Sequence, residues 1–194
     1  VRGRVAMRVY LPATLAMLME LSESGEFRAI GGTGFALTPA LRESFLAGDD
    51  EELAEVAMRE AARASLRLLA GEASEPGDVD GDADLVEDER TAKPGDTPRL
   101  PPRRAVVAAD VDDVSLRPDL DDAVVKISGP VPLRDIASVH VDVAEAEDKV
   151  RAAVVVIDAA DLGDQDAELA VGDVEDFDLA WYATQELPFL LELL

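Results

Sequence analysis

The spacing of apolar residues along this chain changes several times, and each change marks an element. RVYLP (8–12) is rich in strand formers; behind Thr14, a side chain suited to an N-cap, Leu15, Leu18, Met19 and Leu21 fall within two helical turns ending near Glu23. GGTGF (31–35) leads into a short strand, FALT, and Thr38-Pro39 supplies the cap and first-turn proline of a second helix through ALRESF. Asp49, with Glu52 three residues on, makes a capping-box start. Beyond it Leu53, Ala57, Ala61, Ala64 and Leu68 share one helical face, widened by Met58, Ala62, Leu66 and Leu69, and Gly71 is expected to stop the helix. So many alanines predict close packing on a sheet. Arg59, Arg63 and Arg67 recur every four residues among Glu52, Glu55 and Glu60, which reads as an ion-paired solvent face rather than an anion site.

The strand signal returns with RRAVVAADV, a buried strand, and AVVKIS (123–128) is another. SVHVDV (138–143) alternates, with Val139, Val141 and Val143 on one face and Ser138, His140 and Asp142 on the other, the solvated one. AEAEDKVRAA predicts a helix over 144–157 despite the β-branched VVVI that follows. LAWYAT has strand composition, and ELPFLLELL reads as a short closing helix. Together these elements predict an α+β fold: a single domain with a mixed sheet of about six strands and helices packed mainly on one face. A weak echo between the halves adds the expectation of two β-x-β-α-β units, which a different strand order in the two halves would overturn.

Composition changes this picture in one place. Residues 71–103 carry five prolines and a dense acidic run, and are expected to be a disordered insertion between 7–70 and 104–194, the two parts of one folded domain. Arg2, Arg4 and Arg8 before VYLPATLAMLM superficially resemble a secretory signal, but Pro12 and the lack of a small-residue cleavage site favour a strand and a helix. Val1 is an odd initiator; Met7 is the expected start, with 1–6 disordered or upstream of it. No apolar run reaches the roughly 20 residues that span a bilayer, so no membrane partner is expected. The chain has no Cys and a single His, which removes disulfides, thiolate metal sites and cysteine nucleophiles and fits a cytoplasmic setting.

The formal charge is −24, and no Lys or Arg occurs from Ala152 to Leu194. That sign argues against nucleic acid, whose affinity comes from cations displacing counterions, and fits a solvated acidic surface, a basic protein partner or cation binding.

DVDGDADLVEDE (78–89) has the carboxylate spacing of a calcium loop, but Ala83 stands where glycine is needed and no exit helix can follow it, so it reads as an acidic spacer. Ser138, His140 and Asp142 lie about 7 Å apart along a strand, a spacing that argues against direct hydrogen bonds between them. His140 and Asp142 remain candidate metal ligands, as do Asp110, Asp112 and Asp113 after a buried strand, with Arg117 or Lys126 facing an anionic ligand. The GGTG glycines enter a strand, not a helix, and read as a turn rather than a nucleotide loop. Trp181 and Tyr182 point to opposite faces of one strand, so one of them can be exposed; with Gln185 and Glu186 they form a candidate protein contact, set against a packing in which Trp181 is core and Tyr182 its edge. No catalytic residue and no cofactor is predicted.

MRVYLPATL, FALTPALRE, EAARASLRLLA, RAVVAADV, GPVPL, SVHVD and WYATQEL together resemble an uncharacterised family of high-GC Gram-positive bacteria, domain of unknown function 6912. The resemblance runs from Met7 to about Leu187, skips the acidic segment, and implies no activity, cofactor or site. The residues predict a non-enzymatic interaction module binding an unidentified protein or a second copy of itself. The alternative is a small carboxylate-based, metal-dependent enzyme or a metabolite-binding domain, which requires a concave pocket where the interaction module requires an exposed apolar patch around Trp181 or Tyr182.

Overall fold

The computed structural model describes residues 6–74 and 100–194. The calcium-like stretch 78–89 and residues 1–5 lie outside the described residues. The chain opens with β1 (Met7–Ala13) and α1 (Leu15–Ser24), and the Thr14 hydroxyl caps α1 by accepting from the Met17 N–H at 3.3 Å. After β2 (Glu26–Phe27) and β3 (Thr33–Phe35), Thr38 caps α2 (Pro39–Ser44) through the Leu41 N–H. The Asp49 carboxylate accepts from the Glu51 and Glu52 N–H groups, and Glu52 returns the bond to Asp49, opening α3 (Asp50–Ser74). Gly71 does not stop this helix. A glycine there costs only about 1 kcal/mol, and the last turn is tied down by a hydrogen bond from the Thr14 hydroxyl to Glu72.

Past the acidic segment the described chain resumes at Leu100, which packs on the core, and Arg103, which pairs with Glu147 at 2.6 Å, both before the expected boundary at 104. Then come β4 (Ala105–Val111), β5 (Val114–Leu116), β6 (Val124–Ile127), β7 (Val131–Pro132), β8 (Ile136–Val141), α4 (Glu147–Asp161), α5 (Gln165–Glu175), β9 (Ala180–Tyr182) and α6 (Leu187–Glu192). Helix α5 was hidden in the sequence by its acidic surroundings; its buried Ala167, Val171 and Val174 keep helical spacing, and Asp164 caps it through the Ala167 N–H. Among the described residues no helix is long and apolar enough to cross a membrane.

Seven strands form one sheet in the order β5-β6-β3-β1-β4-β8-β9, every pair antiparallel, and β2 pairs with β7 apart from it. The domain is α+β as expected; among the described residues the sheet has one more strand than expected and no parallel pair. Two residues, Asp112 and Asp113, join β4 to β5, although four strand intervals separate them in the sheet. A flat sheet would set those strands about 19 Å apart, whereas three peptide steps reach at most about 11 Å. The sheet therefore curls back on itself.

Helices cover both faces, not mainly one. Val9, Leu11, Val107, Val125, Val139 and Val141 point to the side closed by Leu15, Leu18 and Leu21 of α1 and Leu187 and Leu190 of α6. Phe35, Val106 and Val124 point to the other, where Ala57, Ala61 and Ala62 let α3 lie close. Helices α4 and α5 pack on each other and on Leu66 of α3 through Val150, Ile157 and Val171. Both faces need cover because β4, central in the sheet, is apolar on each side from Ala105 to Ala109.

The two-unit expectation fails. In the first half β1 lies between β3 and β4; in the second β6 lies between β5 and β3 and never meets β8 or β9.

Candidate functional site

Helix α3 crosses only part of its face of the sheet. Alternation along β1, β4, β8 and β9 brings Arg8, Tyr10, Ala108, Asp110, Ser138, His140 and Trp181 to that face: Tyr10 lies opposite Ala108, Ala108 opposite Ser138, and His140 opposite Trp181. Beside the flank of α3 this end of the sheet stays open as two adjoining hollows that share Glu55, Met58, His140 and Trp181. One, of about 350 Å³, continues past Arg59, Phe177 and Leu179; the other, of about 260 Å³, continues past Arg8, Tyr10 and Ser138. Where β4 meets β8 the register shifts from Ala108–Ser138 to Ala109–Ile136, so Ala137 is an extra residue beside the cleft. Bulges of this kind re-aim neighbouring side chains.

The floor of the cleft is electrostatically tied. Arg104 and Asp142, 3% and 0% exposed in their side chains, form a forked pair (Nε–Oδ2 2.8 Å, Nη2–Oδ1 2.7 Å); the carboxylate also accepts from the Arg104 backbone N–H, and Nη2 donates to the Phe177 carbonyl. That last bond fixes the segment between α5 and β9 that brings Trp181 into place. At the other end Arg8 and Asp110 form a second fork of 2.7 and 3.1 Å. The hydrogen bond from Arg8 holds the Asp110 carboxyl below the usual carboxylate range, while burial raises the Tyr10 phenol above its ordinary value. Burial, and secondly the Arg8 charge, lowers the His140 pKa and so favours the neutral imidazole.

Ser138 Oγ and His140 Nε2 lie 3.0 Å apart. The sequence argument against this contact measured backbone spacing, whereas an imidazole leaning along the strand bridges two same-face positions. The face is not simply solvated either: Ser138 and Asp142 are buried. Asp142 follows the end of β8 and is committed to Arg104, not to His140. A neutral imidazole bonded to a hydroxyl can take its proton, the first requirement of a nucleophile and base.

The other sequence candidates are dispersed. Asp110 is engaged by Arg8, Asp112 and Asp113 sit exposed in the turn after β4, and Asp142 serves Arg104. Among the described residues no group of three or more His, Asp or Glu side chains is placed to hold a metal ion. Arg117 forks onto the Asp119 carboxylate, and Lys126 donates to the Gly31 carbonyl and the Thr33 hydroxyl, so both cations are engaged by groups of the chain itself. Of the α3 arginines, Arg63 and Arg67 bind Asp161, and Arg63 also Glu168, on α4 and α5 rather than on their own helix.

Trp181 is 61% exposed, the reverse of a core tryptophan, while Tyr182 packs on the opposite, α1-covered side. Gln185 is exposed, and the Glu186 carboxylate accepts from the Ala183 N–H in the following turn. Sequence reasoning missed Arg8, Tyr10, Met58 and Phe177; the alternation of Arg8 and Tyr10 against Val9 and Leu11 was the available signal for the first two.

Fold and site define an α+β domain with a curled antiparallel sheet and an open, aromatic-lined cleft at one end. The chain belongs to the family of unknown function DUF6912, whose model matches residues 7–191. No curated protein and no solved structure matches it.

Proposed function

We propose that the chain is a cytoplasmic, non-enzymatic interaction module that presents the cleft beside α3, with Trp181 as its anchor, to another protein. The exposed Trp181 carries this reading: a large aromatic on the last strand of the sheet, beside a hollow lined by Met58, Phe177 and Leu179. Tryptophan is enriched among residues that dominate binding energy, because it offers a large contact area at low entropic cost. Photo-cross-linking from position 181 in the producing cell tests it, with position 162, where Leu162 is 90% exposed at the end of α4, as the control. Adducts at 181 alone support an interaction surface; none, or equal adducts at both, refute it.

One observation favours a second reading. The Ser138 and His140 pair opens into the cleft, an arrangement suited to acyl transfer on a small substrate. A fluorophosphonate probe that labels Ser138, and fails on Ser138→Ala and His140→Gln, would favour that chemistry. An unlabelled chain removes it.

A further inference from the structure

We propose that β9 is a docking edge, to which an extended basic segment of a partner protein adds as the next strand of the sheet, laying an apolar side chain against Trp181. This rests on the interaction reading above and names the partner for that surface.

Strand β9 ends the sheet, with β8 as its only strand partner among the described residues. Open edges pair readily with other chains, and proteins commonly guard them by keeping the strand very short or with Lys, Pro or a bulge; β9, at three residues, has the first of these protections alone. Ala180, Trp181 and Tyr182 include neither Lys nor Pro, the pairing of β8 with β9 is regular, and no Lys or Arg follows Arg151 in the chain. The charges flanking the strand in sequence are instead all acidic, while Arg59 and Arg104 line the hollow that Trp181 shares with them. Exposed Asp176 and Asp178 lead into it and exposed Glu186 follows, whereas Glu175 just before them is already paired with Arg63 at 3.7 Å.

Those charges decide the occupant. Two copies meeting edge to edge would set these acids against each other on chains that each carry −24, and like charges brought opposite one another on paired strands are destabilising. The same groups attract Lys and Arg, so the edge is closed to itself and open to a basic strand. Backbone pairing supplies affinity in strand addition, and alternate side chains supply selectivity. An added strand also has a period of two, so every second side chain falls on the cleft face beside Trp181.

Trp181 is the single tryptophan of the chain, so its emission reports occupancy directly. The test selects a random-peptide library on the full chain and measures the enriched peptides one by one. Expected are sequences alternating Lys or Arg with apolar residues, binding one per chain and weakening steeply as salt rises. They should shift Trp181 emission, slow amide exchange over Ala180–Tyr182, and lose binding when alternate backbone amides are N-methylated. By calorimetry Trp181→Ala should weaken them at least about tenfold, Trp181→Phe should restore part of the loss, and Asp178→Asn with Asp176→Asn should flatten the salt dependence; far-UV circular dichroism checks that each variant folds. Peptides that need Trp181 but are not basic, or tolerate N-methylation, overturn strand addition and leave the interaction reading standing. A dimer that Trp181→Ala dissolves assigns the edge to a second copy and overturns the basic partner. If no enriched peptide depends on Trp181, both readings fall.

Discussion

Replacing Asp142 by Ala should be among the most damaging single changes in this domain. The carboxylate takes three hydrogen bonds, from Arg104 Nε, Arg104 Nη2 and the Arg104 backbone N–H, and the guanidinium it neutralises is 3% exposed. Without Asp142 that buried cation keeps only the Phe177 carbonyl, and the Arg104 N–H is orphaned. Breaking such a pair from one side costs about 3–5 kcal/mol, which for a chain of this length lowers Tm by about 6–20 °C. Arg104→Met should cost a similar amount by stranding the carboxylate. The double change Arg104→Met with Asp142→Leu removes both charges and should be less damaging than either single change, because a well-packed apolar pair of similar volume can match a buried ion pair. Urea unfolding followed by far-UV circular dichroism measures all three, and an unchanged m-value shows that stability, not the unfolded state, has moved. Amide exchange over 176–180 should quicken in both single variants as the Phe177 tie loosens. Single variants that each cost under about 1 kcal/mol, or a double variant that costs their sum, would refute the claim that the two charges stabilise the domain only as a pair.

Ser65 sits fully buried on α3, donating to the Ala13 carbonyl at 2.6 Å and accepting from the Ala105 N–H at 3.1 Å; Ser65→Ala should cost about 1–3 kcal/mol for each group left unpaired, seen as a fall in Tm. At Gly34 an added Cβ would stand 2.6 Å from Val9 Cγ1 and 2.8 Å from Leu11 Cδ2, so Gly34→Ala should destabilise by about 1–3 kcal/mol through overpacking, whereas Gly71→Ala, in open space on α3, should not destabilise. His140, lowered by burial in the folded state, binds its proton more readily when unfolded. Stability from this group is therefore present above its ordinary value of about 6.5 and is lost as pH falls from there through the lower folded value. Urea midpoints between pH 7.5 and 5 should fall more steeply for the native chain than for His140→Gln, and parallel profiles would contradict the assignment.

Much of the architecture follows from local rules that the sequence states openly. Thr14, Thr38 and the Asp49–Glu52 box cap helices where the spacing places them, and β1, β4, β6, β8 and β9 arise from strand-forming runs whose composition needs no partner to be recognised. Local signals failed where tertiary contacts outweighed them: α3 continues through Gly71, and β5 exists because Val114–Leu116 meets β6. The cleft was less legible. Trp181 and Tyr182 on opposite faces followed from strand periodicity, but which of them is exposed depended on how far α3 extends over the sheet. His140 with Ser138 depended on side-chain lean beside a bulge. Asp142 with Arg104 depended on the pairing of β4 with β8, across 38 residues. The sequence alone determined the α+β class, the starts of α1, α2 and α3 and the acidic net charge, because caps, periodicity and charge act between near neighbours or on the chain as a whole. Tertiary structure decided the strand order, the curl of the sheet and the residues that meet in the cleft, because those contacts join positions far apart in the chain and their register is set only when the two faces are packed.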